Sequence, residues 1–172
     1  MLFDAAEIAR RVDALAGEIA RDIRGDLLAV VILKGSFVFA ADLIRALERA
    51  GLSPQVDFIT LASYGAGSES AGRVSLVRDL SEDVRGRTVL IVDDIVDTGR
   101  TLKFAREELL GRGAAAVRTC LLLDKRAKRN VAIEPDYVGF AIEDRFVVGY
   151  GLDLAHRYRG LPYIGVVVPT TP

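Results

Sequence analysis

Thirteen consecutive residues, Val89 to Thr101 (VLIVDDIVDTGRT), set the tightest limit on how this chain folds. The run opens with Val89 to Val92, a β-branched-rich apolar stretch of the kind buried in a parallel sheet. Asp93 and Asp94 are therefore expected at the carboxyl end of a strand, where open α/β sheets bind ligands, with Asp97 close behind. Thr98 and Thr101 then offer hydroxyls, and Gly99 lets the backbone approach closely. The segment LKFAREELL reads as a helix that presents unpaired N–H groups and its positive dipole end to an anion. Three neighbouring carboxylates repel one another when buried, so the arrangement is costly unless a cation or hydroxyl groups share it. Strand, acids and anion-binding turn in that order describe a phosphosugar site. An exposed acidic turn, or the acid pair of a phosphorylated receiver domain, accounts for only part of the run.

The rest of the chain supplies the sheet that such a strand needs. After an amphipathic first helix with Ile8, Val12, Leu15, Ile19 and Ile23 at helical spacing, Leu27 to Leu33 reads as a buried strand. Lys34-Gly35-Ser36 reads as a turn and FVFAADLIRALERAGL as a helix ending at Gly51, with arginines near its negative end. Strands follow at VDFITLASY, RVSLVRDL and VRTCLLL, the last after the Val89 strand and its helix. Such alternation predicts an α/β fold, a central mostly parallel sheet flanked by helices. The carboxyl-terminal third departs from it, with apolar runs at Tyr137 to Ile142, Phe146 to Gly149 and Tyr163 to Val168, and reads as a small irregular or antiparallel subdomain.

A chain of 172 residues that is 51% hydrophobic suits one domain, residues 1–172, with a sizeable core. A net charge of −1 leaves no electrostatic footprint for a nucleic-acid or membrane partner. No apolar stretch reaches membrane-spanning length, and the first helix does not read as a signal peptide. Cys120 is alone and sits in an apolar run, as a buried thiol in a reducing cytoplasm would. The segment SYGAGSESAG, Ser63 to Gly72, is too polar and glycine-rich to pack, and reads either as a surface loop or as a lid that excludes solvent.

The Val89 to Thr101 run resembles the signature of the type I phosphoribosyltransferases, and further segments resemble the hypoxanthine-guanine members of that family. The resemblance implies a type I phosphoribosyltransferase-like fold with a small hood subdomain, made by the N-terminal residues and part of the C-terminal third. It implies that Asp93 and Asp94 hold the ribose hydroxyls and a magnesium shell, and that Asp97, Thr98, Gly99, Arg100 and Thr101 wrap the 5′-phosphate. VILKGSFVFAADLIRAL resembles the family's first pyrophosphate-binding loop, which gives Lys34 and Gly35 that role and allows a non-proline cis bond ahead of the lysine. Ser63 and Tyr64 match the Ser-Tyr pair of the family's mobile loop.

The purine site follows from the same resemblance. Phe146 would stack on the base, the Val147 backbone would pair with its edge, and Lys125 would donate to a six-oxo group. Asp153 would serve the purine edge and, with Asp93 and Asp94, the metal; Arg159 would meet pyrophosphate. Asp97 would act as general acid/base on the purine's imidazole nitrogen. Read without the family, Phe146 and Val147 are equally well core residues, Lys34 a solvated turn lysine, and Lys125 one charge in a basic surface run, LDKRAKR. His156 matches no functional position and reads as a surface residue. One departure stands out: Asp93 occupies a place where the family usually has glutamate.

The implied reaction joins phosphoribosyl pyrophosphate to a six-oxopurine in purine salvage, with Mg2+ as cofactor and a homodimer or homotetramer as the working form. A regulator that senses phosphoribosyl pyrophosphate, and an enzyme preferring xanthine or another base, are the alternatives. Residues alone do not rank hypoxanthine against guanine or xanthine.

Overall fold

The structure, a computed structural model, describes residues 1–63 and 74–168. Tyr64 and most of the glycine- and serine-rich segment, the expected lid, lie outside the described residues.

Helix α1 (Ala5–Asp22) starts where Asp4 and Glu7 cap each other reciprocally, each side chain accepting the other's backbone N–H at 2.8 Å. Its buried stripe of Ile8, Val12, Leu15 and Ile19 matches the expected spacing. Strand β1 (Leu27–Leu33) leads through the Lys34-Gly35-Ser36 turn to α2 (Phe37–Arg49), whose end is released at Gly51, φ +85°. Then come β2 (Gln55–Ser63), β3 (Val74–Arg78), β4 (Thr88–Val96), α3 (Arg100–Gly111), β5 (Ala116–Asp124), a 3-10 turn at Arg126–Lys128, and β6 (Tyr137–Ala141).

One six-stranded sheet results, in the order β3-β2-β1-β4-β5-β6, with every neighbouring pair parallel except β2 and β3. Its two faces carry two cores, because successive strand residues point to opposite sides. Leu27 and Val31 of β1 with Leu90 and Val92 of β4 pack under α1 and α2, whereas Leu28, Val30, Ile32, Val89 and Ile91 pack with Leu102, Ala105 and Leu109 of α3. The chain winds from β1 outward to β2, then returns to place β4 on the other flank of β1. The carboxyl ends of β1 and β4 therefore border the switch point where open α/β sheets bind ligands.

Two elements differ from the sequence expectation. β4 does not stop before its acids: pairing with β5 continues from Asp93↔Leu121 to Val96↔Asp124, so Asp93 and Asp94 sit within the strand's last residues. The Tyr137 to Ile142 run is not part of a separate subdomain. Tyr137 registers with Cys120 and Phe140 with Leu123, making β6 the sheet's parallel edge.

The remaining antiparallel piece is short, β7 (Val147–Val148) against β8 (Gly165–Val166). The amino terminus joins it: Ile164 O accepts the Leu2 N–H at 2.7 Å, and Phe3 stacks on Phe140 at 4.0 Å between centroids. Among the described residues no helix is long and apolar enough to cross a membrane, and Cys120 is fully buried.

Candidate active site

Two backbone turns and one carboxylate converge beyond β1 and β4. The Leu33–Lys34 peptide bond is cis, as the resemblance allowed, and leads into Gly35. A Cβ on Gly35 would lie 1.7 Å from Asp94 Oδ2, so this turn touches the β4 carboxylate directly. A Cβ on Gly151 would lie 2.1 Å from the Gly35 carbonyl oxygen, which brings the C-terminal third onto the same turn. Only glycine allows these approaches. Lys34 itself is exposed.

Beyond β4 the chain turns through Gly99 in the left-handed conformation, φ +84°, as the residue that opens α3. Gly99 has no side chain to cap this helix and no acid stands in its first turn; apart from a long 3.4 Å bond from the Arg100 N–H to Thr98 Oγ1, its first N–H groups and dipole are open to an anion. Thr98 and Thr101 are partly buried at its mouth, and Arg100 is exposed as the first helical residue. The turn is buttressed from behind: a Cβ at Gly99 would meet Ile133 at 2.8 Å and Val131 at 3.1 Å, and Thr98 O accepts the Asn130 N–H at 3.2 Å.

Asp93 is 8% exposed and its Oδ1 accepts the Asp94 N–H at 3.0 Å; Asp94 Oδ1 accepts the Ile95 N–H at 2.9 Å. Burial pushes the Asp93 carboxyl well above the usual carboxylate range, and the neighbouring Asp94 charge adds to that. Burial raises Asp94 as well, against the pull of its own hydrogen bonds and of Arg159. Among the described residues no three His, Cys, Asp or Glu side chains converge to hold a metal. Asp153 is committed instead to Arg159 Nη2 at 2.6 Å and to the His156 N–H at 2.7 Å.

Arg159 donates from Nη1 to Gly151 O at 2.6 Å, which holds its guanidinium beside the Gly35 turn. On the opposite side of β4, Lys125 follows β5 directly and its N–H donates to Val96 O at 3.0 Å. Its side chain is buried, unlike its neighbours Arg126 and Lys128, so it is not one more charge of a surface run. Its Nζ lies 3.3 Å from Asp97 Oδ1 and 3.6 Å from Asp144 Oδ1. The Asp97 contact is an ion pair without hydrogen-bond alignment, which leaves that buried oxygen a free acceptor. Phe146 is 54% exposed, so its ring is not a core residue, whereas Val147 is buried in β7. Ser63 closes β2, paired with Val74, and His156 is exposed as expected.

This arrangement agrees with known relatives over nearly the whole chain. The phosphoribosyl transferase domain family matches residues 1–155. The hypoxanthine phosphoribosyltransferase of Escherichia coli (strain K12) is 46% identical over 95% of this chain and 92% of its own. The hypoxanthine-guanine phosphoribosyltransferase of Aquifex aeolicus is 41% identical over 97% of this chain and 93% of its own. The chain belongs to the phosphoribosyltransferase family. Among solved structures, the hypoxanthine-guanine phosphoribosyltransferase of Bacillus anthracis superposes with a TM-score of 0.91 at 41% identity, covering 98% of each chain. A mutant of the Trypanosoma cruzi hypoxanthine phosphoribosyltransferase, in a ternary substrates complex, gives 0.92 at 40% identity over 98% of this chain and 95% of that one.

Within this phosphoribosyltransferase two contacts had no sequence signal strong enough to find, and a third position had one that was not used. Asp144 serves both Lys125 and Lys128, the latter at 2.9 Å, yet reads as one acid in a charged turn. Arg129 pairs with Asp124 with both side chains almost wholly buried, although Arg129 stands in what reads as a basic surface run. Gly151 was legible in principle, because Gly-Tyr-Gly between apolar runs marks backbone that a Cβ would obstruct.

Proposed function

We propose that this enzyme transfers phosphoribose from phosphoribosyl pyrophosphate to hypoxanthine and/or guanine, releasing IMP or GMP and pyrophosphate. The observation that carries this reading is the buried Lys125 ammonium held beside Asp97. A purine's six-substituent and its imidazole N7 share one edge, and that edge meets a donor and a carboxylate placed side by side. A six-oxo group accepts from the ammonium; adenine's amino group would leave it unsatisfied and buried, which costs discrimination energy. Asp97 takes the imidazole proton as the glycosidic bond forms at N9. The exposed Phe146 ring offers a stacking face, and the Val147 strand brings backbone groups to the base edge.

On the other side, the 5′-phosphate sits on the α3 N-terminus within Thr98 to Thr101, and the ribose hydroxyls meet Asp93 and Asp94. Lys34, Gly35 and Arg159 receive the pyrophosphate. Pyrophosphate leaves with the bonding pair from an anomeric carbon that turns oxocarbenium-like, so the site must neutralise the leaving group and keep water out. Ser63 and Tyr64 belong to the segment assigned that shielding role. Asp93 and Asp94 suit magnesium: two buried hard-oxygen donors whose ionisation is suppressed by burial gain from a cation, and Mg2+ takes one or two carboxylates with the rest of its shell from substrate oxygens and water. Bound there, the ion supplies charge neutralisation for pyrophosphate. Asp153 orients Arg159, and the family resemblance assigns it to the purine edge and the metal.

The chain is proposed to act as one domain whose hood comprises the amino terminus and β7–β8, in the cytoplasm, as a homodimer or homotetramer. The test is an assay with phosphoribosyl pyrophosphate and magnesium, offering hypoxanthine, guanine, xanthine and adenine separately. IMP or GMP with little AMP is the expected outcome. No product from any base, with the sugar phosphate still bound, would replace the enzyme reading with that of a sensor.

A further inference from the structure

Tyr150 is an unusual residue for its place. It sits between Gly149 and Gly151 with a positive φ of its own, +50°, and is only 7% exposed. A non-glycine residue in that conformation persists where surrounding contacts hold it. Its backbone N–H donates to Leu161 O at 2.8 Å, and its hydroxyl reaches back to α2, donating to Asp42 Oδ2 at 2.6 Å. Burial and the Asp42 hydrogen bond raise the phenol above its ordinary range, so it stays a donor. Asp42 also pairs with Arg45 on its own helix through its other carboxylate oxygen.

Tyr150 adjoins the turns assigned to the pyrophosphate side. Gly151, its neighbour, presses on the Gly35 carbonyl, so close that a Cβ there would come within 2.1 Å. Gly151 O accepts from Arg159 Nη1 at 2.6 Å and the Gly151 N–H donates to Arg159 O at 2.9 Å. Helix α2 begins at Phe37, directly after the Lys34-Gly35-Ser36 turn. Asp42, Tyr150 and Arg159 line one cleft of about 330 Å³. The two halves of the site, the turn after β1 and the arginine from the C-terminal third, lie far apart in sequence.

We propose that the Tyr150–Asp42 hydrogen bond is a positioning tie that seats the Gly151–Arg159 turn on the Lys34–Gly35 turn, and so sets affinity for the pyrophosphate group independently of the purine site. The proposal rests on the pyrophosphate reading of Lys34, Gly35 and Arg159. Tyr150 touches no substrate; it acts through Gly151 and Arg159. Among the described residues no hydrogen bond or ion pair links Lys125, Asp97 or Phe146 to Tyr150 or Asp42.

The test compares Tyr150→Phe, Asp42→Ala, Asp42→Asn and the Tyr150→Phe/Asp42→Ala double variant in the full chain, reading KM for phosphoribosyl pyrophosphate, inhibition by pyrophosphate, and KM for hypoxanthine. Losing one hydrogen bond to a charged acceptor is expected to weaken both pyrophosphate-dependent constants about tenfold, with hypoxanthine KM within about twofold. The double variant is expected to be no worse than either single one, and Asp42→Asn, which still accepts, to recover most of the loss. Equal changes in the purine and pyrophosphate constants, no change in either, or additive losses would overturn the tie. Should Asp42→Ala fail to fold, Tyr150→Phe carries the same comparison. Arg159→Lys is run beside them: if it weakens pyrophosphate inhibition and Tyr150→Phe does not, the tie alone is wrong. If Arg159→Lys leaves inhibition unchanged, the pyrophosphate reading falls and the tie with it.

Discussion

Replacing Lys125 by methionine keeps the volume of a buried side chain and removes its only donor group. The side chain is 7% exposed, so water has no ready access to replace the ammonium at a purine oxygen. A hydrogen bond to a charged group contributes about 1.5–3 kcal/mol. Here the charge is already shared between Asp97 at 3.3 Å and Asp144 at 3.6 Å, which favours the middle of that range. About 2 kcal/mol corresponds to a roughly 30-fold fall in kcat/KM for hypoxanthine. Adenine gains nothing from the ammonium and should change far less, so the ratio of the two narrows by nearly the whole factor. Stability should fall little, because the Asp97 side chain is 46% exposed and can turn to water, while Lys128 still neutralises Asp144 at 2.9 Å. Initial rates with each base at saturating phosphoribosyl pyrophosphate, alongside KM for the sugar phosphate, supply the numbers. Unchanged hypoxanthine use, or a proportional loss for every base, would show that Lys125 holds the site together without reading the purine.

Other contacts make equally definite demands. Gly35→Ala forces Asp94 Oδ2 away from a position 1.7 Å from the new methyl; the fold should survive, but kcat/KM for phosphoribosyl pyrophosphate is expected to fall about 100-fold, as assays with hypoxanthine in excess would show. Arg129→Gln strands Asp124 in a setting where both side chains are under 10% exposed, and breaking such a pair costs about 3–5 kcal/mol, to be read as a melting temperature lower by roughly 10 °C. The doubly apolar Arg129→Met/Asp124→Leu variant should recover much of that loss, and failure to do so would mean that the pair does more than satisfy itself. Tyr137 tests the pH dependence. Burial and its bond to Asp22 raise this phenol from about 10 to about 12, so the folded state holds its proton more tightly. Its contribution to stability is complete below pH 10 and disappears as pH rises to about 12. Urea titrations at pH 9 and 11.5 should show a steeper loss in the parent than in Tyr137→Phe; parallel losses would contradict the assignment.

The elements legible in sequence were those whose cause is local. Val89 to Val92 with the glycine turn that follows, the stripe of α1 and the Lys34-Gly35-Ser36 turn each carry their own signal, in periodicity or glycine placement. The tertiary partners were not legible, because nothing near a residue in sequence states what covers it. Lys125 and Lys128 stand three apart in one basic run, yet the first is buried and the second exposed, a difference that the path of β5 under Val96 imposes. Tyr137 to Ile142 reads as an isolated apolar run until β5 offers it an open edge. The same distinction separates the acids. Asp93 and Asp94 are adjacent by covalent structure, so their mutual repulsion and cost in burial follow from sequence, whereas Asp153 is drawn to Arg159 by a turn that only the folded chain forms. Asp93 stands where the longer glutamate is usual and, with the strand still paired at Leu121, is held within β4 rather than beyond it. If reach limits the sugar contact, Asp93→Glu should lower KM for phosphoribosyl pyrophosphate without changing hypoxanthine KM. A rise in that constant instead would mean that the β4 register already places the shorter acid where the ribose needs it.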